Sequence, residues 1–396
     1  MAAAVNGDAV LRVIQVGRPD NRQLFSEVSV ISIPTAKAMR WQFTKVLVAA
    51  GLVAALAGGS GGAAAAAARP PVLRAVLSGV SCKGPSFCMA VGNYSVPKDH
   101  DVRLAEEWNG KTWRAVPDPL SGNLDNITCG SPSFCLADRL VNGLTGVYSL
   151  VEWNGRTWQT LKHQPPGLYD VSCGSPTVCM AANTPSGDIY GWNGMNWQDL
   201  GDCSLGPPGQ CSWLSNPTCG GATCIIAGWS CGDDDCDESA YFALTWPLTN
   251  DGLPPIPSPF LTSEACAGQG FCMFTGGGNR VAWFTTNWAQ TWQLALPGCP
   301  IGSCDFDGPV SCGYAGTCMS LPIGWKLSLA WDGTKWTAPL LARIAGKIPQ
   351  LTSLSCGNAD NCVAVGSYKR TPHSRRQTIA EHWNGSKWQV TFTPDS

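Results

Sequence analysis

Cysteine offers the widest choice of chemistry in this chain. Twenty thiols in 396 residues could hold metal, supply a nucleophile, or be tied off as disulfides. Zinc sites favour C-x2–4-C spacing with several ligands converging on one ion. Here a first Cys recurs at 82, 129, 173, 219, 266, 312 and 356, with a partner at 88, 135, 179, 224, 272, 318 and 362. Six of these pairs are C-x5-C and one is C-x4-C, and each pair stands alone in its own stretch of chain. Isolated pairs suit local disulfides: Cys82–Cys88, Cys129–Cys135, Cys173–Cys179, Cys219–Cys224, Cys266–Cys272, Cys312–Cys318 and Cys356–Cys362. The six remaining cysteines also pair locally, as Cys203–Cys211, Cys231–Cys236 and Cys299–Cys304. No thiol is then left as a nucleophile, and the usage points to an oxidising compartment.

Two segments are marked by charge. Asp233, Asp234, Asp235, Asp237 and Glu238 crowd around the expected Cys231–Cys236 clip, and clustered carboxylate oxygens are what calcium takes as ligands. Their spacing matches no EF-hand, so a solvated acidic tip is the plainer reading, with calcium the only cofactor suggested. Lys369, Arg370, His373, Arg375 and Arg376 form a basic segment that could receive an anionic partner or simply be a solvated turn. Other chemistry is thin. Four histidines show no triad or metal-ligand spacing, and no phosphate-cradling glycine motif stands in context. With 26 Lys+Arg against 28 Asp+Glu, nothing suggests a nucleic-acid surface. Glycoside hydrolysis would need two positioned carboxylates. Glu107 and Glu152 beside repeated tryptophans, and Glu381 near one, read as architecture instead.

The elements that must carry these groups are repeats. The first cysteines recur at intervals of 44 to 47 residues, and six of the seven follow a Ser or Thr. The second half of each unit is Trp-Asn-Gly-x-x-Trp, at Trp108–Trp113, Trp153–Trp158 and Trp192–Trp197, with Asp for Asn at Trp331–Trp336 and Asn again at Trp383–Trp388. Units four (Trp246) and five (Trp283, Trp292) are degenerate. Asn-Gly between apolar runs predicts a hairpin with a type I′ turn. Each unit therefore reads as four short strands, in the last unit 350–356, 362–367, 378–383 and 388–393. Seven such units predict an all-β, seven-bladed propeller with one disulfide-clipped hairpin per blade. The paired tryptophans read as wedges between blades.

Gly110–Trp113 and Gly155–Trp158 resemble the end of the Asp-box (BNR) motif of sialidase-type propellers, although Trp108 and Trp153 stand where its Asp would be. The whole unit, from Ser-Cys-x5-Cys-x-Ala-Val-Gly to Trp-Asn-Gly-x-x-Trp, more closely resembles uncharacterised exported repeat proteins of actinobacteria. That resemblance covers about four-fifths of the chain. It implies a propeller outside the cytoplasm and brings no assigned activity.

Export has its own signal. Met39, Arg40 and Lys45 are followed by the apolar run 46–57 and by a stretch of Gly, Ala and one Ser to Ala68, the layout of a signal peptide cleaved near Ala66–Ala68. A retained anchor is the alternative. Residues 1–38 read as an extension ahead of the signal, and 69–396 as one propeller, a monomer touching membrane only through the N-terminal segment. In such blades the first–second and third–fourth turns share one face. The second–third loops and blade connections, which vary in length, share the other. The expectation is a secreted or cell-surface binding or scaffold protein whose envelope polysaccharide or protein partner meets the variable face. A glycan-cleaving propeller is the alternative.

Overall fold

The computed structural model describes residues 74–394, except 96–101, 118–121, 143–146, 184–186, 203–209, 232–238, 248–260, 269, 277–280, 296–305, 315, 325, 345–348 and 372. All belong to one compact unit, Ala66–Ser396. The expected acidic site (Asp233, Asp234, Asp235, Asp237, Glu238), the export segment, and at least one member of each extra cysteine pair lie outside these residues. Among the described residues there are 28 strands, and no helix is long and apolar enough to cross a membrane.

The cysteine spacing dictates the first hairpin of each blade. In blade one, Arg74–Cys82 pairs antiparallel with Cys88–Ser95, with Cys82 directly opposite Cys88. A Cys–Cys pair facing across a tight turn is already at bonding range, and all seven repeat disulfides are formed with Cα–Cα of 3.9–4.1 Å. A third strand, Val102–Trp108, and a short fourth, Trp113–Ala115, complete the blade. Blade seven follows the same plan, with strands Gln350–Asn358, Asn361–Lys369, Arg376–Trp383 and Trp388–Thr391. Its first three strands run past the expected ends, because pairing continues into both connecting turns.

The Asn-Gly turn forms, but not as a two-residue type I′ turn. Trp108 pairs with Trp113 across a four-residue loop. Only Gly110 takes positive φ (92°). Asn109 instead acts through its side chain: Oδ1 accepts from the N–H of Lys111 and of Thr112, each at 3.0 Å. Asp332 does the same in blade six for Thr334 and Lys335, which explains why Asp replaces Asn there freely. Blade five uses Thr285 and Asn287, whose oxygens receive the N–H of Ala289 and Thr291.

Blade four departs most. Its first strand is broken into Gln210–Leu214 and Thr218–Gly220, with Pro217 at the break, where a ladder N–H is missing. Both pieces pair with the same second strand, Thr223–Cys231.

Alternation along each strand sends successive side chains to opposite neighbours. In blade one, Met89 and Val91 face blade two, while Cys88 and Ala90 face blade seven. The result is seven buried apolar clusters, one for each blade–blade interface. Paired tryptophans sit in these interfaces with ring centroids 5.3–5.8 Å apart. In blades one to three the first indole of the pair also ties the two turns together, as Trp108 Nε1–H donating to Pro85 O at 3.3 Å, Trp153 to Pro132 O at 3.2 Å and Trp192 to Pro176 O at 3.1 Å.

The Ser or Thr before each first Cys has a specific task. Ser81 Oγ accepts the N–H of Cys129, Thr128 that of Cys173, Ser172 that of Cys219, Thr218 that of Cys266 and Ser311 that of Cys356, at 2.8–3.1 Å. Ser355 then accepts the N–H of Cys82 at 2.9 Å and closes the circle. Blade five, with Ala265 at this position, uses Ser263 to hold Val310 N–H instead. Among the described residues no strand is exchanged between the chain ends. Blades seven and one are joined by these bonds, by Ser353 Oγ receiving Val80 N–H, by Trp113 Nε1–H to Thr391 Oγ1, and by one parallel bridge, Arg74 to Arg376.

Candidate functional site

The two faces of the ring differ in chemical freedom. On the turn face, the residue after each first Cys packs against the next blade. It is Gly at 130, 174, 220, 313 and 357, Ala at 267 and Lys at 83. A Cβ on Gly174 would run into the Gly221 carbonyl, and one on Gly357 would stand 2.8 Å from Gly84 Cα. The close approach forbids side chains, so this face is nearly uniform. Lys83 is the exception. It reaches over the channel mouth to Gly174 O at 3.5 Å, and burial holds its ammonium below the usual lysine range. The channel behind it is walled by the seven first strands, with Asn126, Thr128, Ser172, Thr218, Glu264 and Ser355 among the polar groups facing it.

Glu264 stands where the other blades carry Val80, Ile127, Val171, Pro217, Val310 and Leu354. Its carboxyl meets the strand break of blade four, where the Ser215 hydroxyl and Asn216 N–H bind it. Burial nevertheless pushes it up to about 8.

The variable face carries three features. The first is a cavity of about 540 Å³ between blades six and seven, walled by Pro309, Leu321, Pro322, Ile323, Leu341, Pro349 and Leu351. Its rim holds Gln350, which is exposed, and Ile323, which is 71% exposed. This size and apolar character are those of ligand pockets.

The second feature is the expected basic segment, which joins the second and third strands of blade seven. Lys369, Arg370, His373 and Arg375 are exposed and Arg376 is half-buried. A small Thr371–Ser374 turn holds the loop, with Thr371 N–H donating to Ser374 Oγ at 2.9 Å. The fold sets Arg74 of blade one beside this segment, paired to Arg376 across the ring seam.

The third feature is a group of carboxyls between blades two and three. Asp138 is buried where other blades carry Val91, Ala182, Ala227, Thr275, Leu321 and Val365. Its Oδ2 accepts from Asp170 N–H at 3.1 Å, while Oδ1 has no partner. Burial first, and then the neighbouring Asp170 and Asp125 charges, hold Asp138 well above the usual carboxylate range. Asp170 is pushed up to about 6 by burial. Tyr148 and Tyr169 pack against each other beside them, tilted at 33° with centroids 5.1 Å apart. Burial raises the Tyr148 phenol, and Asp125, Asp138 and Asp170 raise it further. Arg139 follows Asp138 in the strand and so faces the other way, where Nε–H donates to Ser149 Oγ.

The three glutamates expected to be architectural are so placed. Glu107 pairs with exposed Arg114 at 2.8 Å, Glu152 receives Gln159 at 3.3 Å, and buried Glu381 accepts Ala342 N–H at 2.9 Å. Burial pushes Glu381 up to about 7. The sequence reading missed Lys83, Asp138 and Glu264, although each is the one charged residue in its column of seven repeats. The cavity had no such signal, because its walls come from separate stretches of two repeats.

No family model matches the chain, and no curated protein matches it. Solved structures do. The propeller domain of the Trilobed protease from Pyrococcus furiosus, described as having an open velcro topology, superposes with TM-score 0.53 at 10% identity, over 82% of this chain and 98% of that one. YCF48 from Cyanidioschyzon merolae gives 0.47 at 16%, over 75% and 94%. The GH74 xyloglucanase from Xanthomonas campestris gives 0.48 at 12%, over 80% and 55%. The chain is a β-propeller. These likenesses extend to the fold alone.

Proposed function

We propose that this chain is an exported, non-enzymatic binding propeller, secreted or held at the cell surface, that engages an envelope polysaccharide or protein through its variable face. The observation carrying this reading is the placement of the apolar cavity beside the basic turn on that face, while close packing keeps the opposite face nearly featureless. Seven disulfides support a life in an oxidising compartment. The acidic residues Asp233, Asp234, Asp235, Asp237 and Glu238, which lie outside the described residues, are proposed as its calcium-responsive part.

A second reading, glycan cleavage, draws on one observation. Asp138 and Asp170 lie in direct contact beside two tyrosines, with carboxyls raised to different degrees, as paired acid–base groups are. The test is a binding screen of the full chain against purified envelope polysaccharides and envelope protein fractions, with and without calcium. Saturable binding that is lost when 369–376 is replaced by a Gly-Ser turn supports the binding reading. Turnover of a polysaccharide that Asp170→Asn abolishes would overturn it in favour of the second.

A further inference from the structure

We propose that the cavity between blades six and seven, together with the basic seam beside it, is a docking site for an acidic peptide segment anchored by one large apolar side chain. This rests on the binding reading above and names the partner chemistry of that same face.

Three observations converge. The cavity holds about 540 Å³ and its described lining is proline and aliphatic apart from Gly324, Gln350 and Thr352, so it selects an apolar group. Ile323 and Leu340 nearby are 71% and 69% exposed, so apolar surface at this edge stays in water until something covers it. The rim holds Gln350, whose amide both donates and accepts and so matches a peptide backbone. The chain of a lipid would leave that amide unanswered.

Charge lies across the edge of blade seven from this rim, on the side of the second strand that faces blade one, as Val363 and Val365 do. Gln350 pairs with Ser367 in the neighbouring strand, and Lys369 follows two residues on, ~8 Å away by strand geometry. Lys369 is paired to Arg376, and Arg376 to Arg74. Among the described residues none of these three is ion-paired. Like charges set opposite one another in a sheet repel, and an acidic partner relieves that repulsion at three positions together. Arg370 and His373 extend the same surface outward. The chain as a whole is slightly acidic, with a formal charge of −2, so this is a local concentration of positive charge against the general trend.

The test uses the full chain and three fluorescein-labelled dodecapeptide pools. One has a central Leu or Phe flanked by Asp and Glu, one the same centre flanked by Lys and Arg, and one an Ala centre flanked by acids. Fluorescence anisotropy is read at low and at moderate salt. The first pool is expected to bind, to weaken with salt, and to bind at least tenfold tighter than either other pool. Lys369→Glu with Arg370→Glu, and separately Ile323→Asp, should each weaken it tenfold or more. All sites are exposed, and unchanged circular dichroism and melting temperature certify the fold. Lys369→Arg should retain binding. Equal binding of the acidic and basic pools, indifference to both variants, or binding of phosphatidylglycerol vesicles with no peptide pool bound would each overturn the proposal. Wild-type chain that binds an envelope fraction but no pool refutes this inference alone. Wild-type chain that binds no envelope polysaccharide or protein fraction in the screen above refutes the broader reading.

Discussion

Among the described residues the ring is closed without an exchanged strand, so its weakest seam should lie between blades seven and one, where no chain connection crosses. Ser353→Ala with Ser355→Ala removes the acceptors for Val80 N–H and Cys82 N–H, held at 3.1 and 2.9 Å. Stranding a buried donor costs about 1–3 kcal/mol. Both sites are part-buried, so about 1 kcal/mol each and ~2 kcal/mol together is the expected loss. Ser172→Ala, which strands Cys219 N–H at an interior seam, serves as the comparison at ~1 kcal/mol. Urea unfolding followed by tryptophan fluorescence under non-reducing conditions reads the totals. Amide hydrogen exchange reads the location, since 2 kcal/mol at the seam corresponds to roughly 30-fold faster exchange along 74–82 and 350–358. A combined loss below ~0.5 kcal/mol, well under the cost of even one stranded donor, would refute the reasoning. So would exchange that quickens equally in every blade, since the seam would then not be the point of opening.

Other outcomes follow from single residues. Gly174→Ala drives a Cβ into the Gly221 carbonyl and should cost several times the ~1 kcal/mol of a helix-type Gly effect, read as a lowered melting temperature. By contrast Gly268→Ala, which meets nothing within 4 Å, should leave it unchanged. Glu381, raised to about 7 from 4.5, binds its proton more tightly folded than unfolded. Its contribution is therefore complete below pH 4.5 and is lost as pH rises through 7, by roughly 3 kcal/mol at most. Glu381→Gln should flatten the fall in stability between pH 5 and 8, and a variant as pH-dependent as the wild type would show that another group is responsible. Replacing Cys129 and Cys135 together by Ala opens a disulfide ring of sequence separation 6. Chain entropy puts that loss at ~2 kcal/mol, measurable by the same urea titration.

Much of the fold could be read from the chain because its information is local and repeated. A Cys pair six residues apart can only clip a tight hairpin, an Asn or Asp before Gly can only serve a turn, and period-two alternation must bury both faces of a blade. These rules gave the all-β class, seven blades and seven clips. The Asn-Gly turn was found for a partly wrong reason, since backbone φ is satisfied by Gly110 alone and Asn109 works through its side chain. The basic turn was legible because its five residues are adjacent in sequence.

Contacts between repeats were a different matter. That Ser355 would bond Cys82, 273 residues away, depends on the ring bringing its ends together, which no local pattern states. The cavity depends on Pro309, Ile323, Leu341 and Pro349 meeting from four separate stretches of chain. The proximity of Asp138 to Asp170, and of Arg74 to Lys369 and Arg376, arises only when radial blades set distant strands side by side. Sequence by itself decided what each blade is. The tertiary ring decided which charges and apolar edges share a surface, because electrostatics and burial act through space while repeats are written along the chain.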